Sequence, residues 1–243
     1  MKRVYWIILI AYIAMHLSSL VAVPLIIFVS AFFGQNPEEM RLFAATAWIV
    51  FSFSVTLIIT LLLLRKEMTN KDLMRDSASP LTSVAWAIGG VFLAMIAQLV
   101  AANIERLLGI EMGSENTQDI LRLIEASPIV ILVSSIIGPI LEEIVFRKII
   151  FGTLYKRLNF FFAGLISSII FAIAHTDFKH ILLYTAMGFT FAFLYVRTKR
   201  IIVPIFAHTA MNTLVVLIQF NQDKIENWLK KMEQFQAFIG GFL

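Results

Sequence analysis

The sequence predicts an all-α, polytopic membrane bundle of about seven transmembrane helices followed by an amphipathic C-terminal helix, and three observations carry that prediction. Of 243 residues, 59% are hydrophobic and only 15% charged, too little polar surface for a soluble domain of this size. The charges are also segregated. No Asp, Glu, Lys or Arg occurs between Arg3 and Glu38, Arg41 and Arg65, Asp76 and Glu105, or Arg200 and Asp223. Each of these stretches can cross a hydrocarbon core, for which about 20 helical residues suffice. A soluble enzyme, a nucleic-acid binder and a disordered chain are thereby excluded. The net charge of +4 comes from basic residues set between spans, and the absence of cysteine removes disulfides and thiolate chemistry.

The first apolar segment, 4–33, follows Met1-Lys2-Arg3 and is far longer than the about 7–15 apolar residues of a signal peptide, so it reads as a retained span. The others are 42–64, 80–104, 126–151, 159–175, 180–196 and 201–222. Glu142, Glu143, Arg147 and Lys148 interrupt the fourth. Only Thr176-Asp177-Phe178-Lys179 separates the fifth from the sixth, which requires adjacent antiparallel helices. The tail from Asn221 carries Trp228, Met232, Phe235, Ile239 and Phe242 at helical spacing with charges between them, the pattern of a helix lying along a membrane surface. The chain divides into N-terminal spans and loops (1–125), a catalytic core (126–220) and the amphipathic tail (221–243), all within one integral membrane domain. Thirteen basic residues fall on the side of the N-terminus and seven on the other. The positive-inside rule then puts the N-terminus of this multi-pass cell-membrane protein in the cytoplasm, and the acidic 105–125 loop outside.

An ionisable side chain inside hydrocarbon costs several kcal/mol unless it is paired or faces water. The set is short: His16, Glu142, Glu143, Arg147, His175, His180 and His208, with Asn212 as a neutral companion. Glu143 and Arg147 stand four apart with the acid first, the favourable order for a helical ion pair. Glu142 is rotated about 100° away and has no base at helical spacing, so it is free to act as a general base on water. Phe171 and His175 share one helix face. His208 and Asn212 share another, two donors that could hold the oxyanion of a carbonyl under attack. Taken singly, each pair also fits a structural ion pair or an interhelical hydrogen bond; their joint occurrence on three spans favours a site. His16 and His180 have no polar partner at helical spacing and read as structural. Gly188 with Ala192, and Gly164 with Ser168, read as close helix packing. No H-E-x-x-H, G-x-S-x-G or P-loop motif is present.

Glu142-Glu143-x-x-x-Arg147, Phe171-x-x-x-His175 and His208-x-x-x-Asn212, in that order, resemble the CPBP family, the CAAX-protease and bacteriocin-processing (Abi) membrane peptidases. The resemblance covers about residues 128–216, including YVRTKRIIVPIFAHTAMN at 195–212. It implies an intramembrane endopeptidase in which Glu142 activates water with His175, Glu143 supports the site through Arg147, and His208 and Asn212 form the oxyanion hole. Phe171 is part of the motif. It further implies a glutamate-dependent mechanism without metal, the alternative being zinc held by Glu142, His175 and His208. The partners it implies are a membrane-associated protein or peptide substrate and the lipid bilayer, with no nucleic acid. A non-catalytic immunity or scaffold protein of the same fold, or a proton-coupled transporter, are the rival readings. Counted as straight helix, Glu142 and His175 lie ~21–26 Å from the 156–159 turn but His208 only ~12 Å from Arg200. The three can meet if the fourth helix runs on through 148–157 and the helices tilt, an arrangement that would open the cavity to the cytoplasm.

Overall fold

The fold follows from the apolar runs and from the residues that stop them. A computed structural model describes residues 1–68 and 76–240 and contains nine helices among them: α1 (Arg3–Phe32), α2 (Pro37–Met68), α3 (Pro80–Leu107), α4 (Glu115–Ala126), α5 (130–154), α6 (Phe160–Ala174), α7 (Ile181–Thr198), α8 (Ile202–Phe220) and α9 (Gln222–Gly240). Lys71, Arg75 and Phe242, which contribute to the basic count and the tail pattern, lie outside the described residues. Side-chain caps start three helices: Ser79, Ser114 and Asn159 accept the backbone N–H groups of Thr82, Thr117 and Phe162. Residues in the left-handed conformation mark two ends, Thr176 just beyond α6 and Lys199 after α7.

Among the described residues, five helices are long and apolar enough to cross a membrane: α1, α2, α3, α7 with the turn before it, and α8. The expected count of seven therefore rests on two others. The fifteen residues of α6 span only about 22 Å, and α5 carries the four charged residues of the site region. Much of the apolar surface is uncovered by protein, including Trp6, Ile10, Leu20 and Phe28 on α1 and Phe92 and Leu99 on α3. Surface of that extent requires lipid. Part of the stretch read as the 105–125 loop is instead α4. Its N-cap Ser114 starts a helix that buries Ile124.

Two sets of polar ties sort the helix ends. Glu67 at the end of α2 receives Lys2 and the Tyr5 hydroxyl (2.9 Å) and lies 3.6 Å from Lys148 of α5. The side chain of Arg200 donates to the Ala78 carbonyl at 2.8 Å on the same face. At the opposite ends, Glu105 of α3 accepts from His180 at 2.8 Å and from the Leu183 N–H of α7 at 2.9 Å, and His180 also reaches the Gly113 carbonyl. His180, read as structural because no polar partner stood at helical spacing, has its partners 67 and 75 residues away.

Between these faces α6 and α7 pack with almost no space. A Cβ on Gly188 would stand 3.0 Å from the Ser168 Cβ and 3.2 Å from Phe171 Cδ1; one on Gly164 would stand 2.9 Å from the Phe189 ring. Gly90 of α3 meets Leu194 of α7 in the same way, at 2.6 Å. The small-residue pairs thus set the spacing that brings Phe171 against α7. Gly188→Val is expected to lower stability by about 1–3 kcal/mol through overpacking. Thermal unfolding of the solubilised protein measures this; an unchanged melting temperature would show that the α6–α7 spacing is not constrained here.

Candidate active site

The site is built on α5, which is not uniformly α-helical. Val133–Ile137 and Glu143–Phe151 are wound as π-helix, with i→i+5 bonds, separated by α-helical Gly138–Glu142. Such winding is rare and occurs often at functional sites. It turns Glu143, Ile144, Val145, Phe146 and Arg147 all into protein, where each is buried. Glu142, the last α-helical residue before the second π stretch, keeps its side chain 18% exposed.

Glu143 is the hub of the buried charges. Its Oε1 accepts from His208 Nδ1 at 2.9 Å, and its Oε2 lies 3.3 Å from Arg147 Nε, with all three side chains at most 1% exposed. His208 Nε2 lies 3.7 Å from Glu142 Oε2, so the imidazole stands between both carboxylates. Among the described residues, none of the three guanidinium nitrogens of Arg147 finds a hydrogen-bond partner of good geometry. The cation instead lies against the rings of Phe171 (4.7 Å) and Phe191 (5.9 Å), whose faces carry negative charge density.

Phe171, fully buried, links the two histidines. Its ring meets His175 edge-on at 4.5 Å and His208 at 5.9 Å, and its carbonyl accepts from His175 Nδ1 at 2.8 Å. A carbonyl oxygen only accepts, so Nδ1 carries the proton and Nε2 of the neutral ring has a free lone pair. Phe191 stacks on His208 at 4.6 Å and 18°. Asn212 donates to the Ser134 carbonyl at 3.3 Å, tying α8 to the first π stretch. Its amide nitrogen has two hydrogens, so one N–H remains for another acceptor.

Glu142, Glu143, Arg147, Phe171, His175 and His208 are therefore drawn together, and Asn212 lies one turn along α8 from His208. The depth mismatch between His208 and the other two is resolved because α5 runs on to residue 154 and is wound away from straight α geometry. His175 ends α6 beside the loop that carries Ser114, on the face opposite Lys2. A cavity facing the N-terminal side does not fit that placement.

Sequence spacing missed several neighbours. Tyr184 stacks on His175 at 4.2 Å and 28°. His16 of α1, taken as structural, touches Tyr12 and Phe53, and Glu142 and His175 both act on it electrostatically. Tyr184, Gly188 and Phe191 fall on one face of α7, a pattern visible in the sequence once α6 is known to pack there. Nothing in the sequence places α1 beside Glu142. For zinc, His208 Nδ1 is taken by Glu143, and among the described residues no group of three or more His, Asp or Glu side chains is arranged to hold a metal ion.

With that geometry in view, residues 124–214 match the profile described as type II CAAX prenyl endopeptidase Rce1-like. The chain is 53% identical to the Bacillus subtilis (strain 168) protein called putative membrane peptidase YdiL, over 99% of both chains. It is 40% identical to the membrane-embedded CAAX protease MroQ of Staphylococcus aureus (strain USA300), over 64% of this chain and 65% of that one. A shorter match, 36% over 78 residues, is to UPF0177 protein YxdF of Lactococcus lactis, covering 32% of this chain and 42% of that one. No solved structure gives a significant match.

This chain belongs to the Rce1-like CAAX protease family. It is an integral membrane protein of a peptidase family, as the motif order implied.

Removing one member of a buried ion pair strands the other, at a cost of about 3–5 kcal/mol. Arg147→Met should therefore destabilise the Rce1-like chain strongly, and adding Glu143→Gln should restore part of the loss. A double-mutant cycle on unfolding free energy tests the pair; additive effects would mean that Arg147 and Glu143 are energetically independent.

Proposed function

We propose that this protein is an intramembrane endopeptidase that hydrolyses a peptide bond of a membrane-associated protein or peptide, with Glu142 and His175 handling water and His208 and Asn212 holding the oxyanion. The observation that carries the reading is the division of labour between the two adjacent glutamates. Glu143 is fully buried, bonded to His208 and ion-paired with Arg147, whereas Glu142 is partly exposed and stands 3.7 Å from the far nitrogen of His208. The names of the relatives, a putative membrane peptidase and a CAAX protease, support the same class.

The chemistry follows from the protons. Glu142 takes a proton from water as the oxygen attacks the scissile carbonyl carbon. A carboxylate at Glu143 only accepts, so His208 Nδ1 donates to it. With Glu142, Glu143 and Arg147 charged, the cluster is neutral when His208 carries a second proton on Nε2. That N–H, with the spare N–H of Asn212, would hydrogen-bond the oxyanion, an interaction that strengthens as charge develops. His175 Nε2 takes the second proton of the attacking water as the intermediate collapses. Glu142 returns its proton to the leaving nitrogen as the C–N bond breaks. Every step uses residues of 126–220, the catalytic core, with 1–125 enclosing it and 221–243 as the tail.

Glu142→Gln and His175→Ala are each expected to lower cleavage by about 10²–10⁴-fold, and Asn212→Ala to lower kcat by about 10²–10³-fold. Cleavage of a reconstituted membrane-peptide substrate, alongside unfolding curves showing intact variants, makes the test. Wild-type rates in both Glu142→Gln and His175→Ala would sink the assignment.

We also read the N-terminus as cytoplasmic, from the basic residues on its side of the bundle. The native chain lacks cysteine, so single reporters are clean. In intact cells, a membrane-impermeant maleimide should label Glu111→Cys and not Arg3→Cys. The reverse pattern would invert the topology.

A further inference from the structure

His175 is held by more than its own helix. Its ring stacks on Tyr184, which is only 5% exposed. The hydroxyl of Tyr184 lies 2.9 Å from Ser114 Oγ and 3.3 Å from Asn116 Nδ2. Ser114 Oγ in turn lies 2.7 Å from Asp177 Oδ2 and accepts the Thr117 N–H as the cap of α4.

Donor counting gives this chain a direction. A carboxylate oxygen only accepts, so the single hydroxyl proton of Ser114 goes to Asp177. Tyr184 must then donate to Ser114, and its oxygen accepts from Asn116. Every hydroxyl in the series is satisfied. Asp177, two residues beyond His175, returns the chain to its start, so the contacts close a circuit: His175, Asp177, Ser114, Tyr184 and back to the His175 ring. The loop that supplies Ser114 is itself pinned, because His180 donates between Glu105 and the Gly113 carbonyl. A stacked ring alone fixes the plane of an imidazole loosely. A stacked ring whose far end is hydrogen-bonded twice cannot slide or tilt without breaking those bonds.

We propose that Tyr184 is a positioning residue for His175, and that Ser114 and Asn116, the cap and first turn of α4 on the face opposite the N-terminus, set the geometry of the base through it. The inference rests on the reading of His175 as a catalytic group. Nothing in it requires Tyr184 to touch substrate. The start of α4 thereby becomes part of the active-site scaffold, although it lies at the end of the bundle and carries no reacting group.

The test uses the full chain in nanodiscs, with 15N-labelled histidine and a membrane-peptide cleavage assay. There are four histidines, so the His175 ring signals are assigned by their loss in His175→Gln. Tyr184→Leu should shift the His175 ring 15N signals and lower kcat by about 10–100-fold, the scale of a misplaced reacting group, with KM within about twofold. Tyr184→Phe, which keeps the ring, should recover most of that kcat, and Ser114→Ala should match Tyr184→Phe. Wild-type kcat and unchanged His175 signals in Tyr184→Leu would overturn the proposal. If Tyr184→Leu fails to fold, Tyr184→Phe and Ser114→Ala decide it: both must alter the His175 signals, and wild-type signals in both overturn it. Full activity in His175→Ala would remove the catalytic reading instead, and the NMR arm would still report whether Tyr184 controls the ring.

Discussion

The burial of Glu143 and Arg147 is the constraint on which the rest depends. Two charges with no exposed surface are placed inside an apolar bundle, where each would cost several kcal/mol alone. Their ion pair is not sufficient, because among the described residues the three nitrogens of Arg147 find no hydrogen-bond partner of good geometry. What remains is supplied by other helices: the imidazole of His208 from α8, the ring of Phe171 from α6 and the ring of Phe191 from α7. Four helices must therefore meet at one depth. The requirement acts as negative selection on other packings, since sliding any helix by a turn would leave a charge without its complement.

Meeting at that depth depends on two backbone features. The π winding over Glu143–Phe151 rotates successive residues less per step than an α-helix would, so Glu143 and Arg147 both face inward while Glu142 stays at the edge. Gly188 then removes the side chain that would hold α7 away from α6 at the level of Phe171. The stacking of Phe191 on His208 and of Tyr184 on His175 is the consequence, one on each side of that glycine. Close packing and aromatic geometry are in this sense the same event.

Much of this was legible in the sequence, and the boundary is a physical one. Contacts within a helix have fixed spacing, so Glu143 with Arg147 and the shared face of Phe171 and His175 could be read directly, and the family motif supplied their order. The apolar runs gave most helices to within a few residues. Contacts between helices leave no such spacing: the Glu105–His180 pair and the Tyr184–Ser114 pair join residues 75 and 70 apart. Hence His180 looked partnerless, and nothing marked Tyr184 or Phe191 as neighbours of the site. The winding of α5 was hidden as well, because π and α turns draw on the same residues. A short amphipathic helix after the Ser114 cap was taken for loop because it is too polar to resemble a span.

The two faces of the bundle are tied in different ways, and the difference bears on how the site is held. On the N-terminal face, Lys2, Tyr5 and Lys148 converge on Glu67 and fasten α1, α2 and α5 together. On the opposite face the ties are hydrogen bonds with little freedom: Glu105 to His180 and to the Leu183 N–H, Ser114 to Asp177 and to Tyr184. Of the groups on Glu67, Lys2 is exposed, and a lysine side chain can follow its partner as a helix tilts. Short buried hydrogen bonds do not allow this, because an unsatisfied buried group costs more than the bond contributes. The end of the bundle that holds the His175 ring is therefore the more tightly tied of the two.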